Sequence, residues 1–542
     1  MPRRRAAALS APLALLAGAA APSHAQPGFM HQRLIGEQQH EVLRDIVPTP
    51  LDSFAFLDHG SFAVGSVQQT PTAPSDLLLT RHRPDGSLIW SRRLDLLTNE
   101  HGYKAAIAPN GNYLGVMTLD APAGLQTSLV EVTPGGAIVG VPRIYRGTGT
   151  AELVQDRDVG VSLRVIDGGD RMITANLVNA ATQQGVLTRT DPTNAPIWTR
   201  RYSYPTEPQQ NTFADVAMVP PASSTVTTYA AVGTIPDTAG IRRILVQRVD
   251  PAGLPIGAWA ISLPTGQFGH LFGDGVAHIR GDDVVISGHL RPNLTVPNNA
   301  VAVTLRFNVA TGTVVWSNFE QQFLPGRAAV DWRPEEGALV GGEWRRPVGT
   351  GFSLHPALML TDGVGAPVST VWHTNSVDAR YDAATVFQGQ FGKRIIAAGW
   401  GTFGAAGYGG IDALTSRTNS YGSTPGCPES SQVAGAPQGT FVRPLSAVSV
   451  LDTVSTFLQG TYGPIPLRDD SRCSADPCDP IDFNNDGLFP DTADLDDFLS
   501  VFSGGPCSTS LCKDIDFNND GLFPDTADID SILSVFSGGP CL

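Results

Sequence analysis

Asp76-Leu-Leu-Leu-Thr-Arg81 is followed by Pro84-Asp85-Gly86 and then by Ser87-Leu-Ile-Trp90: an apolar run, a tight turn, and a second run that closes on tryptophan. The layout recurs as Gly185-Val-Leu-Thr-Arg189 before Trp198, Ile244-Leu-Val-Gln-Arg248 before Trp259, Val301-Ala-Val-Thr-Leu-Arg306 before Trp316, and Ala357-Leu-Met-Leu360 before Trp372. These tryptophans are 108, 61, 57 and 56 residues apart, and the first interval is two repeats long. Thr127-Ser-Leu-Val-Glu-Val132 with Pro134-Gly135-Gly136 fills that gap without a tryptophan. A second marker keeps the same register: Gly65, Gly233, Gly288, Gly342 and Gly399 each end a strand-like run. The chain therefore repeats about every 56 residues up to residue 426.

Each unit is a series of short apolar or alternating runs between Gly, Pro, Asp and Asn, the pattern of antiparallel strands joined by tight turns. Four such strands per unit resemble a β-propeller blade. Third strands beginning near Asp76, Thr127, Gly185, Ile244, Val301, Ala357 and Ile411 predict seven blades over residues 26–426. The seventh lacks a fourth strand, and the segment from Met30 to Ile35 has no blade of its own. Pairing the two closes the ring and leaves no open edge. A tryptophan at one position of successive blades is expected to pack blade on blade. Phe307-Asn-Val-Ala-Thr-Gly-Thr-Val-Val-Trp316 looks like the Trp-docking repeat of quinoprotein propellers, but as a single copy, with no adjacent cysteine pair.

The 542 residues are 42% hydrophobic and only 16% charged, which favours a strand-rich chain over helical bundles. The net charge of -15 is concentrated at one end: residues 473–542 hold 14 Asp and a single base, Lys513. No basic field for nucleic acid exists. Arg3, Arg4 and Arg5 precede an apolar run from Ala6 to Ala21 and the small residues Ser23-His24-Ala25, so residues 1–25 read as a signal peptide and the protein as exported. That run is too short to span a bilayer, and no transmembrane segment is expected in the mature chain.

Asp482-Phe-Asn484-Asn-Asp486-Gly487-Leu488 and Asp516-Phe-Asn518-Asn-Asp520-Gly521-Leu522 lie 34 residues apart, within 30-residue units that are identical at 25 positions. Oxygens at alternate positions followed by glycine form the front half of an EF-hand loop. Asp482, Asn484, Asp486, the Leu488 carbonyl, Asp491 and Asp494 would hold one Ca2+ ion. A second would be held by Asp516, Asn518, Asp520, the Leu522 carbonyl, Asp525 and Asp528. Ala493 and Ala527 stand where the closing carboxylate normally is, so the loop is read as one residue longer. Leu495, Phe498, Leu499 and Phe502, matched by Ile529, Ile532, Leu533 and Phe536, predict a helix after each loop, ended by Gly-Gly-Pro.

Residues 473–542 thus resemble the type I dockerin module of secreted bacterial proteins, which implies calcium and a docking partner or surface. Six cysteines, all beyond residue 426, imply disulfides in an exported chain and allow fifteen connectivities. Clipping each loop-helix unit would pair Cys478 with Cys507 and Cys512 with Cys541, leaving Cys427 with Cys473. Residues 427–472 read as a linker or unassigned extension.

No nucleophile elbow, zinc helix or phosphate loop is present. His278 and His289 read as ordinary turn or surface histidines, and Asp76 and Asp412 as turn caps at equivalent strand starts. The resulting expectation is a mainly β, seven-bladed propeller with a small helical calcium module. In function it is a secreted or cell-surface binding or scaffold protein, for a protein or glycan ligand, docked through that module. The alternative is an extracellular polysaccharide-active enzyme, hydrolase or lyase, marked by paired carboxylates at the channel mouth.

Overall fold

The computed structural model describes residues 31–537 apart from 37–39, 52–58, 69–72, 97–98, 122–123, 147–160, 179–181, 209, 222–225, 264–268, 295–299, 334–336, 349–350, 363–366, 374–377, 390–391, 403–410, 421–423, 425–428, 433–435, 438–440, 446–447, 453, 458–460, 465–467, 475–480, 482, 485–491, 510–511, 513–514, 516 and 518–525. The chain is mainly β, with two short helices at its C-terminal end. Seven antiparallel blades follow one another, and blades 6 and 7 are joined by a parallel bridge between Leu354 and Asp378. Their first strands are His40–Leu51, Glu100–Ile107, Leu163–Val165, Thr212–Val219, His270–Arg280, Phe323–Arg333 and Asp378–Gly389. Each touches the next around the ring, and the last returns to the first, so these strands line a central channel. Apolar side chains fill the wedges between blades, for example Val232, Ile244, Ile286 and Phe307 between blades 4 and 5.

The glycine marker has a backbone cause. The inner strand bulges between Leu43 and Asp45, Phe213 and Asp215, Gly273 and Gly275, Pro325 and Val330, and Tyr381 and Ala383, with Gly65, Gly233, Gly288, Gly342 and Gly399 opposite. A bulge pushes one extra residue out of the ladder. It drives a carbonyl over each glycine: a Cβ would lie 1.8 Å from the Val42 oxygen at Gly65 and 1.8 Å from the Thr212 oxygen at Gly233. No side chain fits there.

The tryptophans do hold blade to blade, and by more than packing. Trp90 Nε1 and Arg81 Nη1 both donate to the Pro134 carbonyl in the next blade's turn, at 2.9 and 3.1 Å. Trp198 Nε1 and Arg189 Nη1 repeat this on Pro251, both at 2.9 Å. In blade 7 the fourth strand is the N-terminal His31–Gly36, paired with Asp412–Asn419 as the missing-strand argument expects. Arg417 donates to the Pro84 carbonyl at 2.9 Å and Arg33 to that of Asp85 at 3.1 Å. His31-Gln32-Arg33 thus fills the place of Trp90-Ser91-Arg92.

Residues 427–472, a linker or unassigned extension to the sequence reading, contain the largest departure from it. Seven short strands run round the outside of the ring against the blade order: Glu429–Gln432 on blade 6, Ala436–Pro437 on blade 5, Phe441–Pro444 on blade 4, Val448–Asp452 on blade 3, Val454–Phe457 on blade 2, Thr461–Pro464 on blade 1, and Arg468–Ser474 on the His31–Gly36 strand of blade 7. Every blade gains a fifth, outermost strand. The belt covers backbone groups that a four-stranded blade leaves unpaired at its edge.

Beyond the belt, helices α1 (Thr492–Phe502) and α2 (Thr526–Phe536) share a core of Phe483, Phe498, Ile515, Phe517 and Ile532, in which each loop phenylalanine has its counterpart from the other repeat. Leu499 and Leu533, expected on the buried face, are 42% and 45% exposed. The cysteine pairing is also corrected. Cys507 bonds Cys512, with Cα atoms 5.9 Å apart, so it clips the junction between the two repeats and neither unit as a whole. Gly504, at φ 82°, and Gly505 turn the chain sharply after α1, which brings Cys507 back beside the start of the second repeat. Cys427, Cys478 and Cys541 lie outside the described residues, as does the Cys473 side chain.

Candidate functional site

Of the expected calcium ligands the structure describes Asn484, Asp494 and Asp528; Asp482, Asp486, Leu488, Asp491, Asp516, Asn518, Asp520, Leu522 and Asp525 lie outside the described residues. Asp494 and Asp528 are fully buried in the first turn of their helices. The Asn484 backbone N–H points to Asp494 Oδ1 at 3.4 Å, so the carboxylate expected to close the loop does fold back on the loop's start. Buried carboxylates of this kind suit a cation. Asn484 Nδ2, however, donates to Asp497 Oδ2 at 2.9 Å, a residue the sequence reading did not single out. Burial raises the Asp497 pKa, but hydrogen bonds from Ser508 and Asn484 outweigh it and hold the carboxyl below its ordinary value.

In the propeller, charge gathers along the inner strands. Asp45 accepts the Ala105 N–H of the next blade at 2.8 Å and lies 3.4 Å from Lys104. Asp215 accepts the Val276 N–H at 3.0 Å, with Arg164 at 3.3 Å. Asp382 meets Arg44 of blade 1 at 2.8 Å. These carboxylates are buried and stitch one blade to the next, which makes them structural.

The rim where the inner strands begin is different. At four junctions a residue at the start of a blade's inner strand, or just before it, accepts an N–H from the first few residues of the third strand of the blade before: Asn99 from Ser75 at 3.1 Å, Asn211 from Gly185 at 2.8 Å, His270 from Arg242 at 3.2 Å and Asp378 from Leu354 at 3.4 Å. Between blades 1 and 2 this device sits among three acids. Asp76, Asp95 and Glu100 bring carboxylate oxygens within 4.8 Å of one another, Asp76 and Glu100 buried and Asp95 partly exposed. Arg93 Nε lies 3.5 Å from Asp76 Oδ2, and Ser75 Oγ lies 3.3 Å from His101 Nδ1. Burial first, and the Asp95 charge second, push the Asp76 carboxyl up to about 6 against the pull of Arg93. A proton held there near neutrality is available for transfer. The same three oxygens could instead hold a divalent cation.

The turn-cap reading of Asp76 leaves out Asp95 and Glu100, because the three acids come from three different strands of two blades. His278, read as a turn or surface histidine, contacts a turn, with Nε2 3.0 Å from the Gly281 carbonyl. His289, read likewise, has Nδ1 2.6 Å from Asp274 Oδ2 and its ring stacked on Phe272.

No family model matches the chain, and no curated protein does. Among solved structures, an α-L-arabinofuranosidase from Fusarium graminearum in complex with an iminosugar inhibitor is 9% identical, with a TM-score of 0.35 over 58% of this chain and 92% of that one. An α-L-arabinanase from Penicillium chrysogenum complexed with arabinobiose is 8% identical, with a TM-score of 0.37 over the same shares. Both neighbours are enzymes on glycans, a finding that stands against the expected binding or scaffold propeller and on the side of its enzymatic alternative, whose case rests on this chain's own residues. At such TM-scores the likeness carries no argument on chemistry or substrate, and the fold of this chain rests on its own sheets.

Proposed function

We propose that the chain is an extracellular polysaccharide-active hydrolase whose reacting groups are the carboxylates at the rim between blades 1 and 2. One observation carries the reading: three acids converge, and one keeps its proton to about pH 6. Asp76 would give that proton to the leaving glycosidic oxygen, while partly exposed Asp95 stabilises or attacks the sugar carbon as the bond breaks. Oxygens within 4.8 Å resemble the short spacing, roughly 5 Å, of enzymes that form a glycosyl-enzyme and retain configuration.

The basic and apolar pattern of residues 1–25, read as a signal peptide, supports export. The C-terminal module is proposed, as its sequence pattern supports, to bind two Ca2+ ions and to attach the enzyme to a partner or surface through dockerin-like docking. Calcium there would serve folding and docking, not the reaction.

Reducing-sugar release from a panel of plant and bacterial polysaccharides tests the reading. Asp76→Asn and Asp95→Asn should each lower turnover by about 100-fold or more with the fold intact. Absence of turnover on every polysaccharide, or unchanged rates in both variants, would overturn it.

A further inference from the structure

Across the ring, the same rim carries a second cluster with the opposite charge. Arg242 opens the third strand of blade 4, His270 opens the inner strand of blade 5, and Arg291 ends the second strand of blade 5. Both guanidinium groups lie over one ring: Arg242 Cζ is 5.5 Å and Arg291 Cζ 5.4 Å from the Phe272 centroid. Phe272 is in turn stacked on His289, centroids 4.5 Å apart and nearly parallel. The nearby acids are already engaged. Asp237 pairs with Arg243 and accepts the Ala239 and Ile241 N–H groups, and Asp274 pairs with His289. Among the described residues no carboxylate pairs with Arg242 or Arg291. Two cations gathered on one ring repel each other, and an anion that meets both relieves the repulsion.

The geometry points to a binding site for an anionic sugar: Arg242 and Arg291 take the carboxylate of a uronate residue, and Phe272 holds both guanidinium groups in place for it. Arginine presents two parallel donors to a carboxylate, and stacking on an aromatic ring fixes the plane of that fork before the ligand arrives. His270, whose Nδ1 accepts the Arg242 N–H, is held below its ordinary pKa by burial and by the Arg242 charge, so it stays neutral and offers Nε2–H as a further donor. The choice of a sugar to carry the anion rests on the hydrolase reading; the anion site itself does not.

Calorimetric titration of the full chain with trigalacturonate, with the neutral trisaccharide arabinotriose and with inorganic sulfate, each at low and moderate salt, tests the site. Trigalacturonate should bind at least about 10-fold more tightly than the neutral trisaccharide, and more weakly as salt rises. Arg242→Gln and Arg291→Gln should each weaken it by about 10-fold or more, with Arg291→Lys intermediate. Should the glutamine variants fail to fold, Arg291→Lys and displacement of trigalacturonate by sulfate carry the test. Equal binding of acidic and neutral sugars, binding of sulfate alone, or variants that bind as the parent does would overturn the proposal. Asp76→Asn separates the two readings: it should lower hydrolysis by about 100-fold or more and leave trigalacturonate binding across the ring unchanged. Arginine-dependent binding without turnover would sink the hydrolase and keep the site.

Discussion

His31 stands opposite Arg417 in the closing pair of blade 7, the place that Trp90 holds opposite Arg81 in blade 1. The two ends of the propeller are thus joined by the same blade-to-blade contact that joins its middle, with an imidazole in place of an indole. In both settings the next turn must offer glycine. A Cβ on Gly86 would lie 2.1 Å from His31 Nε2, and one on Gly312 would lie 2.0 Å from Trp259 Nε1.

Gly312→Ala should therefore cost more than its backbone angle alone explains. A non-glycine residue at positive φ costs about 1–2 kcal/mol, and overpacking adds about 1–3 kcal/mol. Gly240, at φ 79° with nothing within 4 Å of a Cβ, is the control that meets only the first cost. Chemical denaturation of both variants should separate them, and equal losses would show that the turn gives way to the new methyl group.

Two buried groups make stability depend on pH in opposite senses. Burial and Asp95 raise Asp76 to about 6, so the folded state binds its proton more tightly than the unfolded state does. Stability from this group falls as pH rises from about 4 to 6, and Asp76→Asn should lack that fall. Burial lowers His373 to about 3, so the unfolded state takes the proton first. Stability is lost as pH drops from about 6.5 towards 3, and His373→Gln should flatten that loss. Melting temperatures across this range decide both.

The belt should matter to the blade it borders. Val450 and Leu451 lie opposite Arg201 and Arg200 in blade 3, and one of two successive N–H groups in a strand faces its partner. Replacing both residues by proline should remove a ladder bond and speed amide exchange in Pro196–Ser203. Exchange that stays slow would mean that blade 3 needs no fifth strand.

Calcium should act on one end of the chain alone. Asp482→Ala and Asp516→Ala are each expected to remove one of two ions seen by calorimetry, and chelation should loosen residues 473–542 while the propeller stays folded. A chain that binds no ion at millimolar calcium would disprove the assignment.

The repeat was legible because glycine and tryptophan answer to geometry that recurs: a carbonyl over Gly233, a turn under Trp198. His31-Gln32-Arg33 carried the same signature in a weaker form, since Arg33 matches Arg92 while histidine hides the aromatic position. The belt was not legible. Its strands are two to seven residues long and join the blades through backbone hydrogen bonds, which impose little pattern on side chains. The acids at the rim were hidden for another reason, because Asp76, Asp95 and Glu100 mean nothing until two blades are folded together.

A ring of wedges fails at its weakest seam, and in most rings that seam is where the chain's two ends meet. Here His31–Gly36 lies between Asp412–Asn419 on one side and Arg468–Ser474 on the other, so the seam is held along both edges just as the fourth strand of every other blade is. The strands between residues 429 and 474 form a hoop around the ring with one strand on each blade, so a blade that tilts outward has to part from its belt strand. A load on residues beyond 474 would therefore meet the Arg468–Ser474 strand first, and through it the strand that closes the ring.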